Sequence, residues 1–281
     1  VDYLLTQLSL IKPCRPALKQ AGFFYACISY FYCSTYYVDN YMRTKICLLA
    51  LCLLMGCLQL SAQELTQGYS HWYTYFGTAQ INQKWAIAYD FQARIRNGIS
   101  NKGQILNRAG LQYTPGKNAS YLLGYSFITT YSDGADQYFP EHRIYQQFIY
   151  KQNTRTFNMT HRVRFEERWV GQKTAGEKEV QYWKYGHRLR YFNRTQFPIR
   201  KEEKVTPFYF ALQNELFMNV FNSEINDKFV DQNRFLIAQG YTLKPNLKVE
   251  AGYMNHFVQP ATGNNSMTHI LHLAVFHNFA L

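Results

Sequence analysis

The chain has 281 residues with 30 Lys and Arg against 18 Asp and Glu, a formal net charge of +12 at pH 7, and 17% of its residues are aromatic. Aromatic enrichment without long apolar runs after the first sixty residues excludes a helical membrane protein there and points to sheet. All six cysteines lie at or before Cys57, so from Gln63 onward thiol and zinc-thiolate chemistry are excluded.

In chain order, residues 1–41 come first and carry aromatic clusters such as "GFFYACISYFYCSTYY" with no clear period. A signal peptide follows them, and such a peptide works only at a chain start, so 1–41 are expected to be a mis-annotated upstream extension. The alternative is a genuine extension with a hydrophobic anchor.

Residues 42–62 have the layout of a signal peptide. Arg43 and Lys45 form a basic start, Ile46 to Leu58 an apolar run, and Leu60-Ser61-Ala62 a small-residue cleavage site before Gln63. The run is shorter than the about 20 residues of a membrane helix. Leu54-Met55-Gly56-Cys57 also resembles a lipobox, in which Cys57 would be lipidated; Met55 is unusual there, and the apolar run continues beyond the cysteine.

Residues 63–281 are expected to form one domain. Strands are predicted at roughly 69–78, 84–97, 103–114, 119–132, 140–151, 156–169, 181–193, 204–219, 230–242, 247–258 and 268–281, bounded by recurring turn signals. In "KWAIAYDFQARIR", Trp85, Ile87, Tyr89, Phe91, Ala93 and Ile95 share one face while Asp90, Gln92, Arg94 and Arg96 share the other. "HRVRFEERW" opposes Arg162, Arg164, Glu166 and Arg168 to Val163, Phe165 and Trp169, and "WKYGHRLRY" opposes Lys184, Arg188 and Arg190 to Trp183, Tyr185, Leu189 and Tyr191.

A soluble sheet with one wet face and a transmembrane barrel with a polar lumen both produce this alternation. Strand length favours the barrel, because a tilted membrane strand needs about 9–11 residues against a mode of about 5–6 in globular sheets. Trp and Tyr near strand ends suit aromatic girdles. Short turns at 80–82, 115–118, 152–155 and 244–246 alternate with long connections at 132–139, 170–180, 221–229 and 259–267. Arg194 to Lys204 reads as a long loop where a short turn is due. Bacterial single-chain barrels use even strand numbers, so an all-β antiparallel transmembrane barrel of about twelve strands is expected, with ten as the fallback.

The chain resembles a family of uncharacterised envelope proteins, domain of unknown function 2490. The resemblance is carried by "LSAQ", "YDFQARIR", "RVRFEERW", "HRLRYF" and "QNRFLIAQGYTLKPNLKVEAGYMNHF". It implies an outer-membrane barrel and an envelope address, and no activity.

The lumen-facing set is expected to include Asp90, Arg94, Arg96, Arg162, Arg164, Glu166, Arg168, Arg188, Arg190, Glu215, Arg234 and Glu250. Its first role is a paired charge network filling a narrow barrel. Its excess of arginine also offers a cationic lining for anions or lipid phosphate, which guanidinium binds bidentately.

Catalysis would need a nucleophile and base in reach. His161, His187, His256, His269, His272 and His277 are present without a motif such as G-x-S-x-G, so the protein is expected to be no enzyme and to hold no cofactor. The adjacent pairs Glu166-Glu167 and Glu202-Glu203 do not converge as metal ligands. Nucleic acid is excluded as a partner despite the basic charge, because the arginines alternate with large apolar residues and no nucleic-acid motif is present.

"HILHLAVFHNFAL" resembles the terminal strand read by barrel-assembly machinery, with Phe279 two residues inside the end. The expected partners are outer-membrane lipid and that machinery, and the expected location is the cell outer membrane. The rival expectation is a soluble periplasmic or lipid-anchored barrel whose apolar face encloses a hydrophobic ligand.

Overall fold

The computed structural model describes residues 65–96, 101–174, 176–201 and 204–281. The expected extension and signal peptide, Cys57 and the Glu202-Glu203 pair lie outside the described residues. The barrel described below falls within Gln63–Leu281.

Eleven strands follow one another: β1 (Thr66–Gln80), β2 (Trp85–Arg96), β3 (Asn101–Tyr113), β4 (Ala119–Ser132), β5 (Gln137–Asn153), β6 (Asn158–Gln172), β7 (Tyr182–Lys201), β8 (Lys204–Val220), β9 (Val230–Lys244), β10 (Leu247–Val258) and β11 (Ser266–Ala280). Each of the eleven predicted segments overlaps one of them. Every sequential pair is antiparallel, and β1 closes on β11 to complete the barrel.

The strand number corrects the expectation of twelve. With an odd count the first and last strands of an up-and-down meander point the same way, so they can close only in parallel. β1 and β11 do so over fifteen consecutive residue pairs, from Thr66↔Ser266 to Gln80↔Ala280. A parallel ladder satisfies the backbone groups of both edges as an antiparallel one would, and so removes the need for a twelfth strand.

The supposed long loop at Arg194 to Lys204 is also corrected. The strand predicted to end at 193 continues to Lys201 as β7, through Pro198, and the register shifts between Pro198 and Arg200. A bulge is where a sheet tolerates proline. The connection to β8 is therefore short and lies, with those after β1, β3, β5 and β9, at one end of the barrel, which we call the turn end; at the opposite end the connection between β4 and β5, read from the sequence as long at 132–139, is only the four residues 133–136. The nine-residue connections on either side of β7 and β8, 173–181 and 221–229, lie at that opposite end, the loop end.

The period-two pattern sorts side chains by face. Ile105, Ile144, Leu212, Ile237 and Leu271 point outward near mid-strand and are exposed. Aromatic rings flank this band at both ends: Trp85 with Tyr113 and Phe208 with Tyr241 at the turn end, with centroids 4.7 and 4.8 Å apart, and Trp169 with Tyr185 and Tyr131 with Tyr138 at the loop end, at 5.1 and 5.2 Å. Outward polar groups are often paired with each other. Tyr89 Oη donates to Asn107 at 3.0 Å, and Asn214 Nδ2 donates to Asn233 Oδ1 at 3.3 Å.

Inside, one sector is apolar. Trp72, Ala211, Leu236, Ala238, Met254 and Ile270 from β1 and β8–β11 form a buried cluster. Glycines make room for aromatic rings at this wall: Gly240 pairs with Tyr209, and a Cβ at Gly240 would lie 2.1 Å from that ring. Tyr209 Oη in turn donates to Glu250 at 2.8 Å. Gly240→Ala must push the ring away and break that bond, and is expected to destabilise the fold by about 1–3 kcal/mol. Gly116→Ala, in a turn with open space around it, should leave the denaturation midpoint unchanged.

Candidate functional site: an arginine-rich barrel interior

Arg162, Arg164, Glu166 and Arg168 stand two residues apart on β6, so the pleat turns all four inward. Register then brings their partners from the neighbouring strands. Glu166 lies opposite Tyr145 on β5 and Arg188 on β7, while Arg164 lies opposite Gln147 and Arg190. Like charges therefore face each other across β6 and β7, an arrangement that repels unless carboxylates stand between them.

Glu166 performs that separation. Only 1% exposed, its Oε1 accepts from Arg190 Nη1 at 2.6 Å and Arg164 Nη1 at 3.5 Å. Its Oε2 accepts from Arg188 Nη2 at 2.8 Å and lies 3.6 Å from Arg143 Nη1. Four guanidiniums share one carboxylate.

The network extends in both directions. Arg190 also donates through Nη2 and Nε to Glu215 Oε1 at 2.6 and 3.1 Å, and Arg162 donates to the same oxygen at 2.6 Å. Arg143 reaches Glu141 bidentately at 2.7 and 2.9 Å, and Arg168 Nε donates to Glu141 at 2.6 Å. A continuous path of ion pairs thus runs from Arg168 through Glu141, Arg143, Glu166, Arg190 and Glu215 to Arg162. Separately, Glu250 accepts from Arg194 and Tyr209, and Asp90 pairs with Arg108 at 3.3 Å.

Aromatic rings hold the remaining positive charge. Phe217, 0% exposed, has Arg190, Arg234 and Arg188 at 4.4, 4.5 and 5.1 Å from its centroid. Trp72 lies between Arg94 at 3.9 Å and Arg234 at 5.0 Å. Guanidinium stacks on such faces at a lower hydration cost than ammonium.

All twelve charged residues singled out from the sequence are on inward strand positions. Arg96 is at the loop-end rim, paired with exposed Asp133 at 3.3 Å. Among the described residues Arg94 contacts no carboxylate within ion-pair distance; it donates to Gln92 Oε1 and Gln104 Oε1, both at 2.6 Å.

Sequence reasoning missed Glu141, Arg143, Arg108 and Arg194, all buried. "EHRIYQQF" does alternate, but His142 on the outer face masks the contrast, and Arg194 sat in the segment read as a loop. Phe217 and Trp72 were missed as well, since an aromatic on the charged face carries no local signal. Of the histidines, His256 and His272 face inward, with Gln232 and Thr74 each 3.3 Å away, and His161, His187, His269 and His277 face outward beside tyrosines. Among the described residues no group of three or more His, Cys, Asp or Glu is placed to hold a metal.

Two of the cavities among the described residues lie between these arginines. One of about 550 Å³ reaches the loop end, where Gln67, Ser266 and Thr268 form part of its wall. The other, of about 280 Å³, lies deeper toward the turn end beside Phe192, Arg194 and Phe276. Trp72, Arg108, Arg190 and Arg234 line both and form the partition between them.

A closed barrel, apolar outside and packed with arginine inside, defines the structural class. Residues 70–267 match the family described as "Protein of unknown function (DUF2490)", and the chain belongs to that family. Comparison with curated proteins gave no match.

Proposed function

We propose that the chain is a non-enzymatic outer-membrane β-barrel whose ionic network closes its bore. The observation that carries this reading is the direction of the two faces. Exposed Ile, Leu, Phe and Tyr cover the outside while the buried charges sit within, the reverse of a water-soluble barrel and of the rival reading with its enclosed apolar ligand.

Other features support it. The strands run from 12 to 20 residues, sufficient for a tilted membrane crossing. Aromatic rings at both ends of an aliphatic band match the positions where such rings meet lipid headgroups. Outward amides and hydroxyls that bond to one another suit a medium in which water offers no partner. The partition through Trp72 and Arg190 argues against a permanent aqueous channel, and the exposed apolar outer face favours outer-membrane lipid, with the barrel-assembly machinery that inserts such barrels, as partners.

Fractionation tests the address. Expressed from Met42, the protein should appear in the outer-membrane fraction and change gel mobility on boiling. A soluble periplasmic protein without a mobility shift would sink the reading. Reconstituted in a planar bilayer, the barrel should show no steady porin-like conductance; a stable open current would refute the closed bore.

A further inference from the structure

We propose that the loop-end cavity is a binding site for a phosphate-bearing anion of about sugar size. Eight arginines line it against one carboxylate, Glu141. Most of these arginines spend their donors on Glu141, Glu166, Glu215, Asp90 or, for Arg96, Asp133, and two lack a close carboxylate among the described residues. Arg94 donates to the neutral amides of Gln92 and Gln104 and stacks on Trp72. Arg234, 8% exposed, keeps a buried Nε with no hydrogen-bond partner among the described residues, and its nearest carboxylate contact is a long 3.9 Å to Glu215.

A purely structural network has no use for that surplus. A buried guanidinium held by neutral amides and ring faces, with no close carboxylate, leaves its charge unneutralised, which is costly, and removing Arg94 would strand no carboxylate among the described residues. An anion seated between Arg94 and Arg234 would supply the missing charge and accept the spare donors, and the planar guanidinium fork matches phosphate oxygens.

Size and wall chemistry narrow the class. The volume of about 550 Å³ exceeds what a bare phosphate fills and lies within the usual about 300–1,000 Å³ of small-molecule sites. Trp72, Leu106 and Phe217 stand in the wall behind the arginines, all buried, so a ligand there meets guanidinium groups first. The smaller inner cavity differs, because Asp90 and Glu215 stand among its arginines. Access is from the loop end, where Arg96 stands at the rim. The proposal rests on the closed barrel, and on the membrane reading only for which side that opening faces.

Full-length protein in detergent is titrated with glucose 6-phosphate, with glucose, and with phosphatidylcholine vesicles carrying bis-phosphorylated or dephosphorylated lipid A. Heat release and tryptophan fluorescence are followed, since Trp72 lies in the wall. Saturable binding of glucose 6-phosphate but not glucose, weakened about tenfold or more in R94Q by loss of a charge-assisted hydrogen bond, is the expected result and assigns a free solute. Binding confined to phosphorylated lipid A, with the same loss in R94Q, supports the site equally and assigns a lipid headgroup.

R96Q, at the exposed rim, provides a second variant should R94Q not fold. No binding of either phosphorylated probe, or unchanged affinity in both variants, overturns the proposal. A protein that binds in detergent yet fractionates as soluble would leave this site standing and remove the membrane reading alone.

Discussion

Glu166→Ala is expected to cost the barrel about 3–5 kcal/mol, the usual penalty for removing one partner from a buried ion pair. The physical reason is the stoichiometry. Among the described residues Glu166 is the only carboxylate contacted by Arg164 and Arg188, and it is shared with Arg143 and Arg190. Without it four guanidiniums would be held together by β5, β6 and β7 with nothing between them. Glu166→Gln keeps one acceptor oxygen in place and should fall between the two. Arg164→Gln should be milder still, because Arg164 donates mainly to Gln147, at 2.9 and 2.7 Å. Denaturant unfolding of the folded, heat-modifiable form measures the series. If Glu166→Ala unfolds with the parent protein, the network is not what holds this side of the barrel together.

Ile237→Arg should separate the membrane and soluble readings by the size of its effect. Ile237 lies at the centre of β9, points outward and is 47% exposed. Facing hydrocarbon at mid-depth, an arginine there costs about 2–4 kcal/mol. Facing water, the same surface change stays within about 0.5 kcal/mol. Ile81→Arg serves as the control, since Ile81 is 46% exposed in the turn between β1 and β2, where the expected cost near an interface is about 0–1 kcal/mol. A near-neutral Ile237→Arg in reconstituted bilayers would contradict lipid contact at that position.

The large effects expected at Glu166 and at Ile237 come from opposite faces of the same strands. A charge is tolerated inside because other charges neutralise it, and an aliphatic residue is tolerated outside only if the surroundings are apolar. The Arg94 site departs from this arrangement. There a guanidinium lining the loop-end cavity is held by the amides of Gln92 and Gln104 and the ring of Trp72, with no close carboxylate among the described residues.

Local alternation was legible residue by residue. Arg162, Arg164, Glu166 and Arg168 share a face whatever the rest of the chain does, because successive side chains of a strand point to opposite sides. For that reason the eleven segments and the polar character of one face could be read from single strands. The reading failed where a local cue contradicted the global one. The strand read as ending at 193 runs on to Lys201, with a bulge beside Pro198, and His142 hid the alternation that turns Glu141 and Arg143 inward.

By itself the sequence determined the strands, their two-faced character and the family to which they belong, since each depends on residues close together along the chain. Only the tertiary structure decided that eleven strands close in parallel, that Glu166 gathers arginines from β5, β6 and β7, and that Arg94 is left without a carboxylate. Those outcomes depend on register, which sets which residues face each other across strands far apart in sequence. No local period encodes it.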